Sequence, residues 1–411
     1  MDQINEEQGQ SIKLWKQVWF WPLIGIVVFQ MCNQISNIGW KPLVAPIREA
    51  LCLNNTQVGM LIGIAGIASL IGALPAGWFA HKFGAKKALV ITALFACAGM
   101  LLLSAAQNYT QALYGRLVWQ FFYRMANIAC LSATVLAVPA YFRGRAMGIN
   151  GAFINMGAML GAPLGTVVTV AVGWNKAFIG YAGILFIGII FALLLYKPYQ
   201  GADRTVLETP KKVDKNKPKG KSVFATPIAW MMVLLMFCFS TVGSITSLIS
   251  LQLADIFGAS IIVAAGIQTF GQGAGILFNP VFGWISDRLG RFQVLMLLST
   301  LFIICYLGMM IPHYYAYLFF AGCIQFIGIS ASSQVYTAGV YLTQGQSVGA
   351  ITGITSLGTG IAQFVLPTGL GWLRDISGTW MAGQLVVAAL AVAAMLISFY
   401  LLKWCQKRDA N

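Results

Sequence analysis

Long apolar stretches, separated by short polar breaks, run almost the whole length of this chain. Twelve reach 18 residues or more: 18–43, 56–80, 87–106, 111–140, 146–172, 178–197, 226–253, 259–282, 292–312, 315–342, 347–370 and 381–404. Each is long enough to cross a ~30 Å hydrocarbon core as a helix. The pattern predicts an all-α polytopic membrane protein with twelve transmembrane helices. The first stretch is too long for a cleavable signal peptide and has no small-residue cleavage site, so it is expected to remain as a span.

Two stretches carry polar residues at helical spacing. Arg116, Gln120, Arg124 and Asn127 stand at i, i+4, i+8 and i+11, one face of the fourth span. Gln30, Gln34, Asn37 and Lys41 repeat that spacing on the first span, with Asn33 beside them. A guanidinium in lipid costs roughly 2.5–3.5 kcal/mol on insertion scales, so Arg124 near a span centre marks a candidate functional site. A structural salt bridge is the plainer explanation, but no span has an Asp or Glu near its centre to supply one. Arg116 lies ~12 Å nearer the outer end than Arg124, at 1.5 Å per residue. The amides either bond between helices or line a cavity, and the pattern does not choose. Lys41, close to the outer end, is expected to snorkel toward the headgroups. Trp40, Trp119 and Tyr123 fit either a cavity wall or ordinary packing. The later spans are polar but uncharged, with Ser240, Ser244 and Ser247 on the seventh, Gln268 and Gln272 on the eighth, and Gln325 on the tenth.

Composition agrees with the spans. Of 411 residues, 58% are hydrophobic and 9% charged, against about 25% charged in soluble chains. A formal charge of +15 is compatible with a nucleic-acid partner, so its distribution decides. With the N-terminus inside, 20 of the 26 Lys and Arg fall in inner segments. Four fall outside (Lys41, Arg48, Lys176, Arg374), and Arg116 and Arg124 are intramembrane. That is the positive-inside asymmetry of a membrane protein with both termini cytoplasmic, an inner membrane if the cell is bacterial. The basic run Lys211–Lys221 reads as a solvated loop, and no nucleic-acid partner is expected. The eight cysteines show no disulfide pair or metal spacing, and no cofactor is expected.

The chain repeats itself. Gly77-Trp78-Phe79-Ala80-His81-Lys82-Phe83-Gly84 recurs 206 residues later as Gly283-Trp284-Ile285-Ser286-Asp287-Arg288-Leu289-Gly290. Trp174 and Trp380 keep the same offset. Gly144, Gly148 and Gly157 recur at an offset of 201 as Gly345, Gly349 and Gly358, which would make Gln325 the mate of Arg124. These landmarks divide the chain into a six-helix half over 1–197, a basic linker over 198–225 and a second six-helix half over 226–411. The duplicated loop motif G-x-x-[AS]-[DH]-[RK]-x-G resembles that of the major facilitator superfamily of secondary transporters, over almost the whole length. The resemblance implies two pseudo-symmetric bundles around a central site lined by the first, fourth, seventh and tenth spans. It also implies gating or structural roles for Gly77, His81, Gly84, Gly283, Asp287, Arg288 and Gly290. In the family the loop's acid holds the halves together on the inner side; Asp287 matches it, while His81 replaces it in the first half. Arg116 matches the arginine of a family R-x-x-Q-G sequence, with Trp119 and Gln120 in place of the Gln-Gly, and is grouped with the gating residues. Gly148, Gly157 and Gly161, with Pro163, partly match an antiporter motif, which close helix packing explains as well.

Substrate-binding candidates are Arg124, Asn127, Gln120, Asn37, Gln34, Asn33 and Gln325. All eleven Asp and Glu lie in loops, tails or span ends, so the membrane-embedded acid that carries the proton in proton-coupled family members is missing. The expectation is a transporter of a small organic anion, a carboxylate, working as a monomer by exchange or proton-linked transport. The alternative is an exporter of amphipathic or drug-like compounds in which Arg116 and Arg124 gate. An enzyme is not expected: there is no P-loop, metal cluster or nucleophile–base pair.

Overall fold

The computed structural model describes residues 17–198, 227–342 and 348–410. The linker 199–225, Gly345, and the side chains of Gly77, His81, Ser244 and Gly349 lie outside what is described.

Twelve helices of 18 residues or more form among the described residues, with one short helix between the first two of them. In chain order they are α1 (Phe20–Gly39), the short α2 (Val44–Ala50), α3 (Asn55–Phe83), α4 (Ala85–Ser104), α5 (Tyr109–Ala137), α6 (Arg143–Val172) and α7 (Trp174–Leu195). The second half holds α8 (Pro227–Phe257), α9 (Ile261–Leu289), α10 (Arg291–Gly308), α11 (Tyr314–Leu342), α12 (Val348–Ser377) and α13 (Met381–Ala410). Nine of the twelve are apolar enough, by length and composition, to count as membrane spans. Of the remaining three, α1 and α5 are interrupted by polar residues, which lowers their mean hydropathy, and α12 begins among residues that are not fully described. Local signals set the ends. Asn54 caps α3 by accepting from the Gln57 N–H at 2.7 Å while Gln57 returns the bond to the Asn54 N–H at 3.1 Å. Gly84 and Gly290, the last glycines of the repeated motif, adopt φ of +78° and +101° between consecutive helices. L-residues rarely take that conformation, which explains why the motif needs glycine there.

The internal repeat is visible in the helices. α3 and α9 are both 29 residues long, starting at 55 and 261 and ending at 83 and 289. α5 begins at Tyr109 and α11 at Tyr314, 205 residues apart. This corrects the sequence-based pairing at an offset of 201. In the helical register Gln325 is the mate of Gln120, and Arg124 pairs with Ile329. The glycine triplets misled by four residues, about one helical turn, which leaves residues on nearly the same face.

α3 packs along α12, and α9, the repeat mate of α3, packs along α6, the mate of α12. The first seam is tight: a Cβ on Gly63 would stand 2.6 Å from the Phe364 carbonyl oxygen, so backbone meets backbone. The second is softer, with Thr269 Oγ1 donating to the Met159 carbonyl at 3.5 Å.

Polar contacts join the halves at the end that carries the 51–54, 258–260 and 378–380 connections. Arg48 grips Asp255 with both terminal nitrogens, at 2.6 and 3.1 Å, and Trp380 Nε1 donates to the same carboxylate at 3.0 Å. Asp375 accepts from the Thr56 N–H and the Asn55 amide, both at 2.8 Å, and from the Thr56 hydroxyl at 2.6 Å, so a carboxylate of α12 caps α3. Burial raises the pKa of this carboxyl, but the hydrogen bonds from Thr56 and Asn55 outweigh it and hold the group below the usual carboxylate range. A depressed folded pKa contributes stability that is complete above about pH 4, the pKa of a free Asp, and is lost as pH falls through the lower folded value. The stability gap between wild type and Asp375→Ala should therefore be constant from roughly pH 5 to 7 and shrink below about pH 4. A gap that changed near neutrality would mean that this carboxylate is not the titrating contact.

Candidate functional site

Between the halves lies a cavity of about 250 Å³, walled by α1, α3, α5, α8 and α12. Among the described residues three cations face it, Lys41, Arg116 and Arg124, and no carboxylate lines it. The rest of the wall is amide, hydroxyl and aromatic: Asn37, Gln120, Tyr123, Ser247 and Gln363 among others.

The two arginines differ in how they are held. Arg116 is buried, its guanidinium carbon 3.7 Å from the Trp40 ring centroid and 4.3 Å from that of Trp119. Turning the Gln120 amide so that its oxygen faces the guanidinium lets it accept from both terminal nitrogens, at 2.8 and 3.1 Å. The opposite orientation offers only a 3.4 Å contact from Gln120 Nε2 to Asn37 Oδ1. Two short bonds to a cation outweigh one long neutral bond, so we assign the first orientation. The aromatic faces and that amide are therefore the counter-environment of Arg116. Arg124 has none of this. It makes no ion pair among the described residues, and its buried Nε has no hydrogen-bond partner. Arg116 Nε is unpartnered as well, so what sets Arg124 apart among the described residues is a planar fork with neither an aromatic face nor an amide oxygen committed to it.

Lys41 departs from expectation. α1 ends at Gly39, and Lys41 starts a short 3-10 turn. That turn carries its side chain inward instead of toward headgroups. Its Nζ donates to Thr246 Oγ1 of the second half at 2.8 Å, and Ser250 Oγ donates to its carbonyl at 3.0 Å. The snorkelling reading failed because it extended the helix through Gly39-Trp40.

The other candidates divide. Asn37 and Gln120 line the cavity. Gln34 braces it from behind, its Oε1 accepting from Tyr123 Oη at 2.9 Å and Asn37 Nδ2 at 3.2 Å. Asn127 is half-buried and stands outside the wall. Asn33 and Gln30 are fully buried, also away from the wall, with amide atoms that find no partner. Gln325 lines a second chamber of about 150 Å³ that shares Lys41 and Gln363 with the first. Sequence reasoning missed Gln363 and Ser69. Both lie on helices outside the four expected to line the site, although a glutamine inside the stretch 347–370 was itself a signal. Arg116, grouped with the gating residues, walls the same cavity as Arg124.

The motif residues lie elsewhere. Asp287 is exposed beside a cleft formed with Arg291, Tyr341 and Cys405, all of its own half. It makes no ion pair among the described residues. The bridging role implied by the resemblance is therefore not seen in this conformation. Arg288 lies over the Trp284 ring at 4.1 Å. Gly84 and Gly283 face open space, and Gly290 is described above.

A fold of two six-helix repeats enclosing a polar central cavity is that of a membrane transporter. The family model described as Major Facilitator Superfamily matches residues 24–367, and the chain belongs to that family of transporters, not to an enzyme family. Among curated relatives, the oxalate:formate antiporter of Oxalobacter formigenes is 24% identical over 305 residues, covering 71% of this chain and 68% of that protein. The "Probable nitrate/nitrite transporter NarK2" of Mycobacterium tuberculosis is 24% identical, covering 94% of this chain and 95% of its own. The "Probable sulfoacetate transporter SauU" of Cupriavidus necator is 22% identical over 86% of this chain and 87% of its own. Among solved structures, a peptide transporter in complex with sulfate superposes with a TM-score of 0.75 at 14% identity, covering 94% of each chain. At that identity the likeness shows the fold alone.

Proposed function

We propose that the chain is a secondary transporter of a small organic anion, a carboxylate, which it carries by alternating access between its halves. One observation carries this reading: among the described residues, three cations and no carboxylate face a single cavity. Buried cations are costly unless paired, and here the partner that completes the site is the substrate. Arg124 holds the anion, and Lys41, Asn37 and Gln120 complete its coordination. The names of the relatives support the reading, since oxalate, formate, nitrate and sulfoacetate are all anions.

The Lys and Arg asymmetry supports both termini and the 198–225 linker on the cytoplasmic side. On that reading, the Arg48–Asp255 and Asp375 contacts close the outer face. Inward movement of an anion alone against an inside-negative potential costs ~2.3 kcal/mol per charge at 100 mV. Exchange or a co-transported proton avoids that cost, and neither route needs a membrane-embedded acid if the proton travels with the substrate. The protein is read as acting as a monomer, because the cavity is completed within one chain.

Thermal shift on purified protein tests the class of substrate. Carboxylates should raise the melting temperature and their uncharged amides should not. A ligand at 100 times its Kd adds about 2.7 kcal/mol by mass action. Equal stabilisation by a carboxylate and its amide would remove the anion reading.

A further inference from the structure

The cationic cavity shares two wall residues, Lys41 and Gln363, with a neighbouring chamber. This second chamber, about 150 Å³, is contributed mainly by α8, α9, α11 and α12. Its wall differs in kind from the first. Apart from Lys41 it holds only neutral groups, the hydroxyls of Ser240, Ser332 and Thr359 and the amides of Gln272 and Gln325 among them. Gln325 is 3% exposed, and its Nε2 has no hydrogen-bond partner. An N–H donor that deep in a polar recess is costly to leave unpaired, so its situation favours an incoming acceptor oxygen.

We propose that this chamber is a subsite for the uncharged, hydroxylated end of the substrate, and that the transported anion is a polyhydroxylated monocarboxylate. The inference rests on the anion reading and narrows it. Size is the first argument. The two chambers, about 250 and 150 Å³, together give about 400 Å³, inside the range of small-molecule sites. At ~30 Å³ per water-sized group that is space for about thirteen such groups. Two- or three-carbon acids and inorganic oxyanions leave most of it unfilled.

Chemistry is the second argument. A second carboxylate in the recess would lose its hydration and meet no arginine there. Lys41, the one cation in reach, is shared with the first chamber, where it helps to coordinate the carboxylate that Arg124 holds. Hydroxyl groups both donate and accept, and therefore match a wall of mixed amides and hydroxyls. An alkyl tail would strand those same groups without partners. Lys41 and Gln363, common to both walls, stand where the carboxylate end gives way to the hydroxylated end.

Titration of purified full-length wild type and Gln325→Leu with acetate, hexanoate, adipate and gluconate tests the assignment. Wild type should bind gluconate at least about tenfold tighter than acetate or hexanoate, because a site built for hydroxyls rejects analogues lacking them. Gln325→Leu should weaken gluconate about tenfold and leave acetate unchanged, which also shows that the variant is folded. Three results would overturn the subsite: gluconate no tighter than acetate, adipate tighter than gluconate, or equal losses for acetate and gluconate in Gln325→Leu. The broader reading survives any of these as long as carboxylates bind and their amides do not. If no carboxylate binds wild type, the anion reading falls and this assignment with it.

Discussion

Arg124→Ala should nearly abolish substrate binding and transport. Its guanidinium faces the cavity with no ion pair among the described residues and with an unpartnered Nε, so on the proposed reading the substrate anion is its charged partner. Truncating one member of a buried charged hydrogen bond costs ~2–5 kcal/mol, a loss of about 30-fold to several thousand-fold in affinity. Arg124→Lys should also be severely impaired, because a compact ammonium cannot reproduce two parallel bonds to a carboxylate. The comparison with Arg116→Ala is informative. Arg116 already has Trp40, Trp119 and Gln120 around it. Removing it should damage the packing of the wall, appearing as lost thermal stability, while more of the binding survives. Affinity measured on monodisperse variants checks both. Wild-type affinity in Arg124→Ala would take this residue out of the site.

Breaking the Arg48–Asp255 pair should shift the protein toward the conformation open on the side where that pair lies. Both side chains are mostly buried, at 20% and 12% exposure, and Asp255 gathers donors from α2 and from Trp380. Hydrogen bonds to charged groups contribute about 1.5–3 kcal/mol each, so Asp255→Ala should change the ratio of the two conformations by roughly ten- to a hundred-fold. The readout is labelling of a cysteine placed at Asn37 by an impermeant reagent added from the side of the 51–54 connection. Faster labelling in Asp255→Ala, reversed in the Arg48→Asp/Asp255→Arg exchange, is the expected pattern. Unchanged labelling would mean that the seal is held by the α3–α12 seam alone.

The helices were legible because apolar length is enough to mark a span, and the duplicated loop motif marked the two halves. Arg124, Arg116, Gln120 and Asn37 were legible because polar residues at helical spacing must face something other than lipid. The rest depended on tertiary arrangement. Lys41 turns inward only because the chain leaves the α-helix at Gly39, a break that hydrophobic periodicity does not register. Asn127 keeps the spacing of its stripe and Asn33 lies beside its own, yet both miss the wall, since a helix face is wider than the strip a cavity exposes. Gln363 was passed over because attention fell on four helices when α12 also reaches the centre. The Arg124–Gln325 pairing failed because glycines set by helix packing, not by register, supplied the offset.

If the protein carries an anion as proposed, the cluster of three cations with no described carboxylate beside it also bears on the idle carrier. To pass between its two open forms, the protein must carry this cavity through a closed stage in which water is scarce. A loaded cavity takes its counter-charge along, whereas a vacant one must desolvate Lys41, Arg116 and Arg124 with only aromatic faces, amides and hydroxyls to oppose them. The vacant passage therefore has the higher barrier, and mutual repulsion adds to it as the local dielectric falls. The same charges that recruit a ligand act as a latch against slippage, because an unladen return leg is the slow one.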